Sequence, residues 1–241
     1  MSEGRNGLVP RKAGWLEKLY PTPSRAAVEP RVAGKRGKLL FAIDATASRE
    51  PAWEAAKQLT DSFFDAVPGM IDIGLAAYGG NRVHTFTPYV ADARRLRRLA
   101  SGISCRAGYT QLLPILRRVV ETGDVGVVLY ITDAFEEDAT TAARLAEMLK
   151  AKGTRVIVLF DGWSDSEARA VFEDLAARTG GAVLPFEASA IERLKGLIAA
   201  AAVLAVGGEV LLAAKSNSLP GATLLLEYLK SARRLSNRSG S

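Results

Sequence analysis

From residue 38 onward, short apolar runs alternate with longer stretches whose apolar positions recur at helical spacing. The first run, LLFAID over residues 39–44, is too uniformly apolar for a strand with one exposed face, so it predicts a strand buried on both sides. Strands are predicted over residues 39–44, 71–78, 84–89, 126–132, 155–160 and 182–186. Helices are predicted over residues 53–66, 91–101, 111–122, 140–151, 165–179, 189–206 and 219–229.

The order of these elements predicts the fold class. Buried strands separated by helices indicate a parallel sheet with helices on both faces. One junction differs, because only Gly79-Gly80-Asn81 and their neighbours separate the second and third strands. Such a connection is too short for a crossover and predicts an antiparallel hairpin. We therefore expect a doubly wound α/β fold with a mostly parallel six-stranded sheet and one antiparallel strand.

Charge divides the chain into an arm and a balanced remainder. Residues 1–38 contain nine basic and three acidic side chains, a net charge of +6 that equals the formal charge of all 241 residues. Pro, Gly and basic residues are interleaved there without sustained periodicity, which predicts a flexible basic arm over residues 1–37. The expected domain covers residues 38–206, and residues 207–241 form a helical extension with a polar tail.

Three features indicate the compartment. Cys105 is the sole cysteine, so no intramolecular disulfide can form, which fits a reducing environment. No apolar run follows the basic N-terminus, as a secretory signal would require. The apolar segment LIAAAAVLAVGG at residues 197–208 falls short of the ~18 to 20 residues of a membrane span, so we expect a buried helix. We expect a cytoplasmic protein.

Five oxygen-bearing side chains are predicted to meet where two central strands end. Asp44, Thr46 and Ser48 follow the first strand at alternate positions, and Asp133 follows the fourth. Thr110 stands at the predicted N-cap of the helix over residues 111–122, whose start points to the same edge. In a doubly wound sheet the strand order reverses between the first and fourth strands, and ligands bind beyond their carboxyl ends at that point.

The chemistry of this set favours a hard cation. Two carboxylates and three hydroxyls are all oxygen ligands, which suit Mg²⁺ and suit zinc or copper poorly. The acidic run Glu136-Glu137-Asp138 lies beyond Asp133. Such a run near a helix start is expected simply to favour the positive end of the helix dipole.

The spacing resembles the von Willebrand factor type A (vWA) domain and its metal-ion-dependent adhesion site (MIDAS), D-x-[ST]-x-S with a downstream Thr and Asp. The resemblance covers roughly residues 38–206 and departs from the usual pattern at Thr46, where Ser is usual. It implies that Thr46, Ser48 and Thr110 are hydroxyl ligands of Mg²⁺, Mn²⁺ or Ca²⁺. It implies that Asp44 and Asp133 act directly or through water.

The resemblance also implies a function. Members of this family of the bacterial intracellular type commonly work beside ATPases or in assembly complexes. We therefore expect a metal-dependent protein–protein interaction module, and not an enzyme. Its metal would take a carboxylate from an Asp or Glu of the protein partner.

Four alternatives use the same residues or the arm. Asp44, Thr46 and Ser48 could simply cap the helix that begins near Pro51. Asp44 could be the nucleophile of a haloacid-dehalogenase-like hydrolase, although Thr46 occupies the position of the required general acid. A Ser-His-Asp site would have to use His84, the sole histidine. Finally, the basic arm could bind nucleic acid.

Overall fold

The computed structural model describes residues 36–187 and 189–239. The prediction of a flexible arm over residues 1–37 therefore falls almost entirely outside the described residues. The described chain forms a six-stranded sheet with the order β3-β2-β1-β4-β5-β6. Its strands are β1 (Gly37–Asp44), β2 (Ile71–Gly79), β3 (Arg82–Phe86), β4 (Val127–Thr132), β5 (Arg155–Phe160) and β6 (Ala182–Pro185).

Strand directions confirm the predicted fold class. β1 pairs in parallel with both β2 and β4, and β5 and β6 continue the parallel sheet. β3 pairs antiparallel with β2, as the short connection predicted. Since β2 and β4 lie on opposite sides of β1, the strand order reverses there. The carboxyl ends of β1 and β4 are therefore adjacent, where such folds bind ligands.

Helices cover both faces of the sheet. One face packs against α1, α2, α3, α7 and α8, and the other against α4, α5 and α6. The helices are α1 (Glu50–Gln58), α2 (Ser62–Asp65), α3 (Ala93–Ser101), α4 (Leu113–Thr122), α5 (Ala139–Ala151), α6 (Ser166–Thr179), α7 (Ile191–Ala214) and α8 (Pro220–Ser239).

The central strand explains why both layers are needed. In β1, Leu39, Phe41 and Ile43 enter one core, whereas Leu40 and Ala42 enter the other. Successive side chains of a strand point to opposite faces, so a strand that is apolar at every position must be covered twice. The double layer fixes β1 rigidly, and with it the loop that follows Asp44.

The helix predicted over residues 53–66 is two helices. α1 begins earlier, at Glu50, and ends at Gln58, and α2 begins at Ser62. Between them, the Thr60 hydroxyl donates a hydrogen bond to the Lys57 carbonyl at 3.1 Å. A side-chain hydroxyl that bonds to nearby backbone competes with helical hydrogen bonds, and the apolar periodicity does not reveal this competition.

The helix predicted over residues 189–206 leaves the helical conformation at Gly208 (φ 65°, ψ −162°), two residues after its predicted end. A second helical segment follows this kink, so that α7 as a whole runs from Ile191 to Ala214. The last helix, by contrast, is longer than predicted. α8 extends to Ser239, ten residues beyond the predicted end. Ala222, Leu225 and Leu229 of α8 enter the core, so burial and not local propensity supports this helix.

Within the described residues, α7 is the one helix long and apolar enough to cross a membrane. A core helix can have the same length and composition, and 56 % of the most apolar stretch of α7 is buried in the protein. Ile198, Ala200 and Val203 have no exposed surface. This packing against the sheet is that of a core helix.

The first strand begins two residues before its predicted start at residue 39. β1 starts at Gly37, and Arg36 donates a 2.5 Å hydrogen bond from Nε to Asp72.

Beyond the tip of the hairpin, β3 starts at Arg82 and ends at Phe86, two to three residues earlier than predicted. The apolar pattern continues past Phe86, but Pro88 lacks the N–H that a ladder needs.

Candidate metal centre

Asp44 is the centre of the candidate site. It is the last residue of β1, and its side chain is fully buried. Its Oδ1 accepts a hydrogen bond from the Thr46 backbone N–H at 3.1 Å, and its Oδ2 accepts one from the Thr110 hydroxyl at 2.8 Å. The structure therefore brings Asp44 and Thr110 into contact across 66 residues of sequence.

The remaining residues continue this chain of contacts. The Thr46 and Ser48 hydroxyl oxygens lie 3.1 Å apart, and the Ser48 hydroxyl donates to Asp133 Oδ2 at 3.4 Å. All five side chains predicted for the site are thus neighbours. Thr46 and Thr110 are each 5 % exposed, and Asp133 is partly exposed, so the set runs from the buried end of β1 to the protein surface.

Two glycines permit this close approach. A Cβ at Gly79 would lie 2.4 Å from the Ala45 carbonyl oxygen, and one at Gly162 would lie 2.1 Å from the Asp133 carbonyl oxygen. Real Cβ atoms do not come so near, so any other residue would displace the backbone of the site. Ala45 is further held by hydrogen bonds from its N–H to Tyr78 and to its carbonyl from the Arg106 N–H, both 2.7 Å long.

The prediction that Thr110 is an N-cap is wrong. α4 begins at Leu113, and its N-cap residue Leu112 has no side chain able to cap it. Glu137 performs the capping from a distant loop, because its carboxylate accepts hydrogen bonds from the N–H groups of Leu112 (2.5 Å) and Leu113 (2.9 Å). Thr110 lies in the loop before α4. Its side-chain hydroxyl therefore does not cap the helix and donates a hydrogen bond to Asp44 instead.

The acidic run after Asp133 does more than favour the dipole of the next helix. Asp138 does cap α5, because it accepts a hydrogen bond from the Thr141 N–H at 2.7 Å. Glu136, however, accepts one from the Thr110 N–H at 2.7 Å, and Glu137 caps α4. The dipole interpretation is therefore wrong for Glu136, which positions the Thr110 loop, whereas Glu137 acts at the amino end of α4 instead of that of the next helix.

A basic residue that the sequence reasoning missed also lies in the site. Arg49 directly follows Ser48 and is only 8 % exposed. Its Nε lies 3.3 Å from Asp133 Oδ2, and its Nη2 donates to Asp161 at 2.9 Å. Arg49 could have been predicted only from its position next to the D-x-T-x-S motif. Nothing in the sequence indicated that Asp161, just after β5, belongs to the site.

Electrostatics distinguish the two predicted carboxylates. Burial raises the pKa of Asp44 from 3.8 to about 6, although the hydrogen bonds from Thr110 and Thr46 oppose this rise and the negative charge of Asp133 adds to it. In the described part of the chain, the partners of Asp44 are neutral hydroxyl and amide groups. Asp133, by contrast, lies beside the Arg49 guanidinium.

These residues fit the divalent cation that the family resemblance implies. A buried carboxylate with only neutral partners is a costly arrangement that a cation would relieve, and the neighbouring hydroxyls are further oxygen donors. No group of three or more His, Cys, Asp or Glu side chains with metal-binding geometry occurs in residues 36–187 and 189–239. A cation here would thus depend on hydroxyls as much as on carboxylates.

Two of the alternatives lose support from the geometry. The side chains of Thr46 and Arg49, which precede the first helical turns, make no capping hydrogen bonds there, so capping does not explain the motif. His84 lies on β3, and its Nδ1 contacts the Thr85 hydroxyl at 3.0 Å instead of a carboxylate. Cys105 is partly buried against the core, and burial raises the pKa of its thiol to about 11.

No protein-family model and no curated protein sequence matches the chain. Its fold is similar to that of several solved structures. An aerotolerance-related membrane protein from Bacteroides fragilis NCTC 9343 has a TM-score of 0.54 at 17 % identity, covering 69 % of this chain and 98 % of that chain. A von Willebrand factor type A protein from Catenulispora acidiphila has a TM-score of 0.55 at 17 % identity, covering 70 % of this chain and 43 % of that chain.

A third similar structure contains a metal. Proximal thread matrix protein 1 from the mussel byssus, with a zinc-occupied MIDAS motif, has a TM-score of 0.52 at 16 % identity. The match covers 70 % of this chain and 48 % of that one, so the chain spans less than half of this structure and of the Catenulispora protein. Identities this low establish the fold alone, and that fold is the von Willebrand factor type A fold.

Proposed function

We propose that this chain is a divalent-metal-dependent protein–protein interaction module. The observation that carries the proposal is the continuous contact of Asp44, Thr46, Ser48, Thr110 and Asp133 at the carboxyl ends of β1 and β4. The mussel protein with a zinc-occupied MIDAS motif supports it, because that protein has the same fold and binds a metal. The metal proposed here is Mg²⁺, or alternatively Mn²⁺ or Ca²⁺.

Each residue has a role in this proposal. Ser48, Thr46 and Thr110 supply neutral oxygens, while Asp44 and Asp133 supply charge either directly or through water. When bound, the cation supplies an open coordination position that attracts a carboxylate. Glu136 and Glu137 keep the Thr110 loop in place through its backbone N–H groups, so that the hydroxyl faces Asp44. The two cores hold the β1 end of the site rigid.

The surroundings of the site favour an acidic partner. Arg106 and Arg82 are exposed, and the Arg106 backbone bonds to Ala45 in the metal-binding loop. Burial lowers the pKa of the nearby His84, and the positive charges of Arg106 and Arg82 lower it further. Tyr109, next to Thr110, is 65 % exposed and offers an aromatic contact. Interfaces are enriched in such Arg and Tyr side chains.

A binding role is proposed in preference to an enzymatic one. Position 46 holds Thr instead of the carboxylic acid that a haloacid-dehalogenase-like mechanism needs next to Asp44. Cavities of about 710 and 610 Å³ occur in the described chain, but no candidate metal ligand lines either of them. We propose a cytoplasmic location and a protein partner that offers an Asp or Glu, in an assembly complex or beside an ATPase.

Metal binding is the first test. Calorimetric titration of the purified full chain with Mg²⁺ or Mn²⁺ should show one site, and Thr110→Val should weaken it by at least tenfold. Thr122→Val is a matched control, because the Thr122 hydroxyl bonds to carbonyls of its own helix (2.9 and 3.3 Å). Absence of binding to the wild-type chain, or equal binding by the two variants, would refute the metal site.

Partner binding is the second test. Affinity capture from the native host should lose the partner in chelator and with Thr110→Val, but not with Thr122→Val. Loss of a buried charged contact typically costs ~2 to 5 kcal/mol, which lowers affinity by tens to thousands of fold. Equal capture with and without metal would mean that the partner binds another surface.

A further inference from the structure

The Arg49 guanidinium is an unusual neighbour for a cation site. It is 8 % exposed, and its Nε lies 3.3 Å from the same Asp133 Oδ2 that accepts the Ser48 hydroxyl. Within the described residues, Nε and Nη1 make no hydrogen bond of good geometry, whereas Nη2 donates to Asp161 at 2.9 Å. The guanidinium is therefore joined to Asp161 by one hydrogen bond through Nη2 and is only loosely paired with Asp133 through Nε.

We propose that Arg49 is a resident cation that competes with the metal for Asp133, and that Asp161 restrains it. The pair formed by Arg49 and Asp161 then sets the metal affinity of the site. This inference rests on the proposed metal-dependent function, because it concerns the regulation of that same site.

Simple electrostatics gives the direction of each effect. A guanidinium beside Asp133 repels a divalent cation and neutralises part of the charge that would bind it. Asp161 opposes this, because its charge-assisted hydrogen bond draws the guanidinium towards Asp161 and keeps the contact with Asp133 loose. Removing Arg49 should therefore tighten metal binding. Removing the Asp161 charge should release Arg49 onto Asp133 and weaken metal binding.

The experiment titrates the full chain with Mn²⁺ and measures free Mn²⁺ by electron paramagnetic resonance. Arg49→Gln should bind Mn²⁺ about tenfold more tightly than wild type, and Asp161→Asn about tenfold more weakly, as expected for charges close to a metal in a partly buried site. Arg49→Lys keeps the charge, so its affinity should stay nearer to wild type than that of Arg49→Gln. Arg178→Gln is the matched control, since Arg178 pairs with Asp174 of its own helix α6 and with Glu147 of α5.

A double variant separates the restraint from a direct attraction. If Asp161 acts through Arg49, Asp161→Asn should have little effect on affinity in the Arg49→Gln background. A full tenfold loss in that background would show that Asp161 attracts the metal directly and would overturn the inference. The Asp161 side chain is 35 % exposed, so its variants test the idea even if Arg49→Gln proves unstable.

The outcomes distinguish this inference from the function on which it rests. Mn²⁺ binding by wild type with an unchanged affinity in Arg49→Gln would overturn the role of Arg49 and leave the metal site intact. Failure of every variant to bind Mn²⁺ would overturn both. Binding by Arg49→Gln alone would support the role of Arg49, but it would overturn the proposed metal-dependent function, because the site of the natural chain would be closed to metal.

Discussion

Asp44 and the carboxylates at the opposite end of the sheet have opposite surroundings. At the amino ends of the strands, Asp72 pairs with Arg36, and Glu209 accepts hydrogen bonds from Arg155 (2.7 Å) and Arg233 (2.5 Å). At the carboxyl ends, the contacts that the described chain gives Asp44 come from a hydroxyl and an amide. Asp133 and Asp161 at this end share the Arg49 guanidinium, but the buried Asp44 has no cation among these partners.

The pKa values reflect this difference. Partial burial raises the pKa of Glu209, but the hydrogen bonds and charges of Arg155 and Arg233 outweigh burial, so its pKa lies below the ordinary value. Burial raises the pKa of Asp44 to about 6, and its hydrogen bonds do not outweigh burial. Paired carboxylates stabilise the fold, whereas a buried carboxylate without a cation destabilises it in its charged form. Such a group is better explained by binding than by folding.

The largest expected effect is the pH dependence that Asp44 imposes on the metal-free chain. A folded pKa of about 6 against 3.8 in the unfolded chain makes a stabilising contribution that is fully present below about pH 4 and is lost as pH rises through 6. The loss amounts to about 3 kcal/mol of unfolding free energy. Urea unfolding in chelator should show it between pH 4 and 7, and Asp44→Asn should abolish it.

The control for this prediction is Asp174→Asn, because Asp174 is an exposed carboxylate on α6. That variant should keep the wild-type decline in stability with pH. At pH 7, Asp44→Asn should be the more stable protein in the absence of metal, since Asn keeps one acceptor oxygen without the buried charge. A less stable Asp44→Asn at pH 7 would show that the charged carboxylate is already satisfied.

Bound metal should turn the destabilising effect of the charged Asp44 into a net stabilisation of the folded chain. A ligand that binds only the folded state adds about 2.7 kcal/mol at a hundredfold excess over its dissociation constant. Mg²⁺ or Mn²⁺ should therefore raise the thermal midpoint of the wild type but not that of Asp44→Asn or Asp133→Ala. Thr122→Val should respond as the wild type does. An equal shift in all four proteins would place any metal elsewhere.

Local patterns predicted the β1 half of the site. The alternation of Asp44, Thr46 and Ser48 after a fully apolar strand is visible in the sequence, and so is the short turn at Gly80 that makes β3 antiparallel. The position of Asp133 followed from the rule that the first and fourth strands are adjacent in such a sheet. These predictions succeeded because each depends on strand periodicity or on a short connection.

Contacts between distant loops were not predictable in the same way. Arg49 meets Asp161 across 112 residues, and Glu137 caps a helix that begins 24 residues before it. A charged residue in a loop has many possible partners of similar energy, so its sequence neighbours do not identify the right one. The wrong N-cap prediction for Thr110 has this origin. The sequence offered Thr110 as the nearest hydroxyl to the predicted helix start, whereas the residue that caps the helix, Glu137, lies in another loop.

A smaller change in stability is expected for Glu209, which is already paired with two arginines of the chain. Glu209→Gln should lower the unfolding free energy by about 1 kcal/mol at pH 7, because it weakens two hydrogen-bonded ion pairs that are partly exposed to solvent. The pH dependence should be opposite to that of Asp44, since a depressed acid pKa gives stability that is lost as pH falls below 4.5. Urea unfolding at pH 4 and 7 checks both points, and a more stable Glu209→Gln would contradict the comparison.

The smallest expected effect concerns Lys38, at the same end of the sheet. Its Nζ lies 3.1 Å from Asp124 and 5.6 Å from the centre of the Tyr89 ring, and about a third of its side chain is exposed (34 %). Exposed pairs contribute roughly 0 to 1 kcal/mol, because water screens the attraction and both side chains lose freedom when they pair. Lys38→Gln should therefore change the unfolding free energy by at most about 0.5 kcal/mol, and less in 1 M salt, which screens exposed charges. Urea unfolding in low and high salt measures this. A loss of about 2 kcal/mol or more that persists in high salt would mean that this end, too, depends on a buried charge, and the contrast with Asp44 would then rest on Glu209 and Asp72 alone.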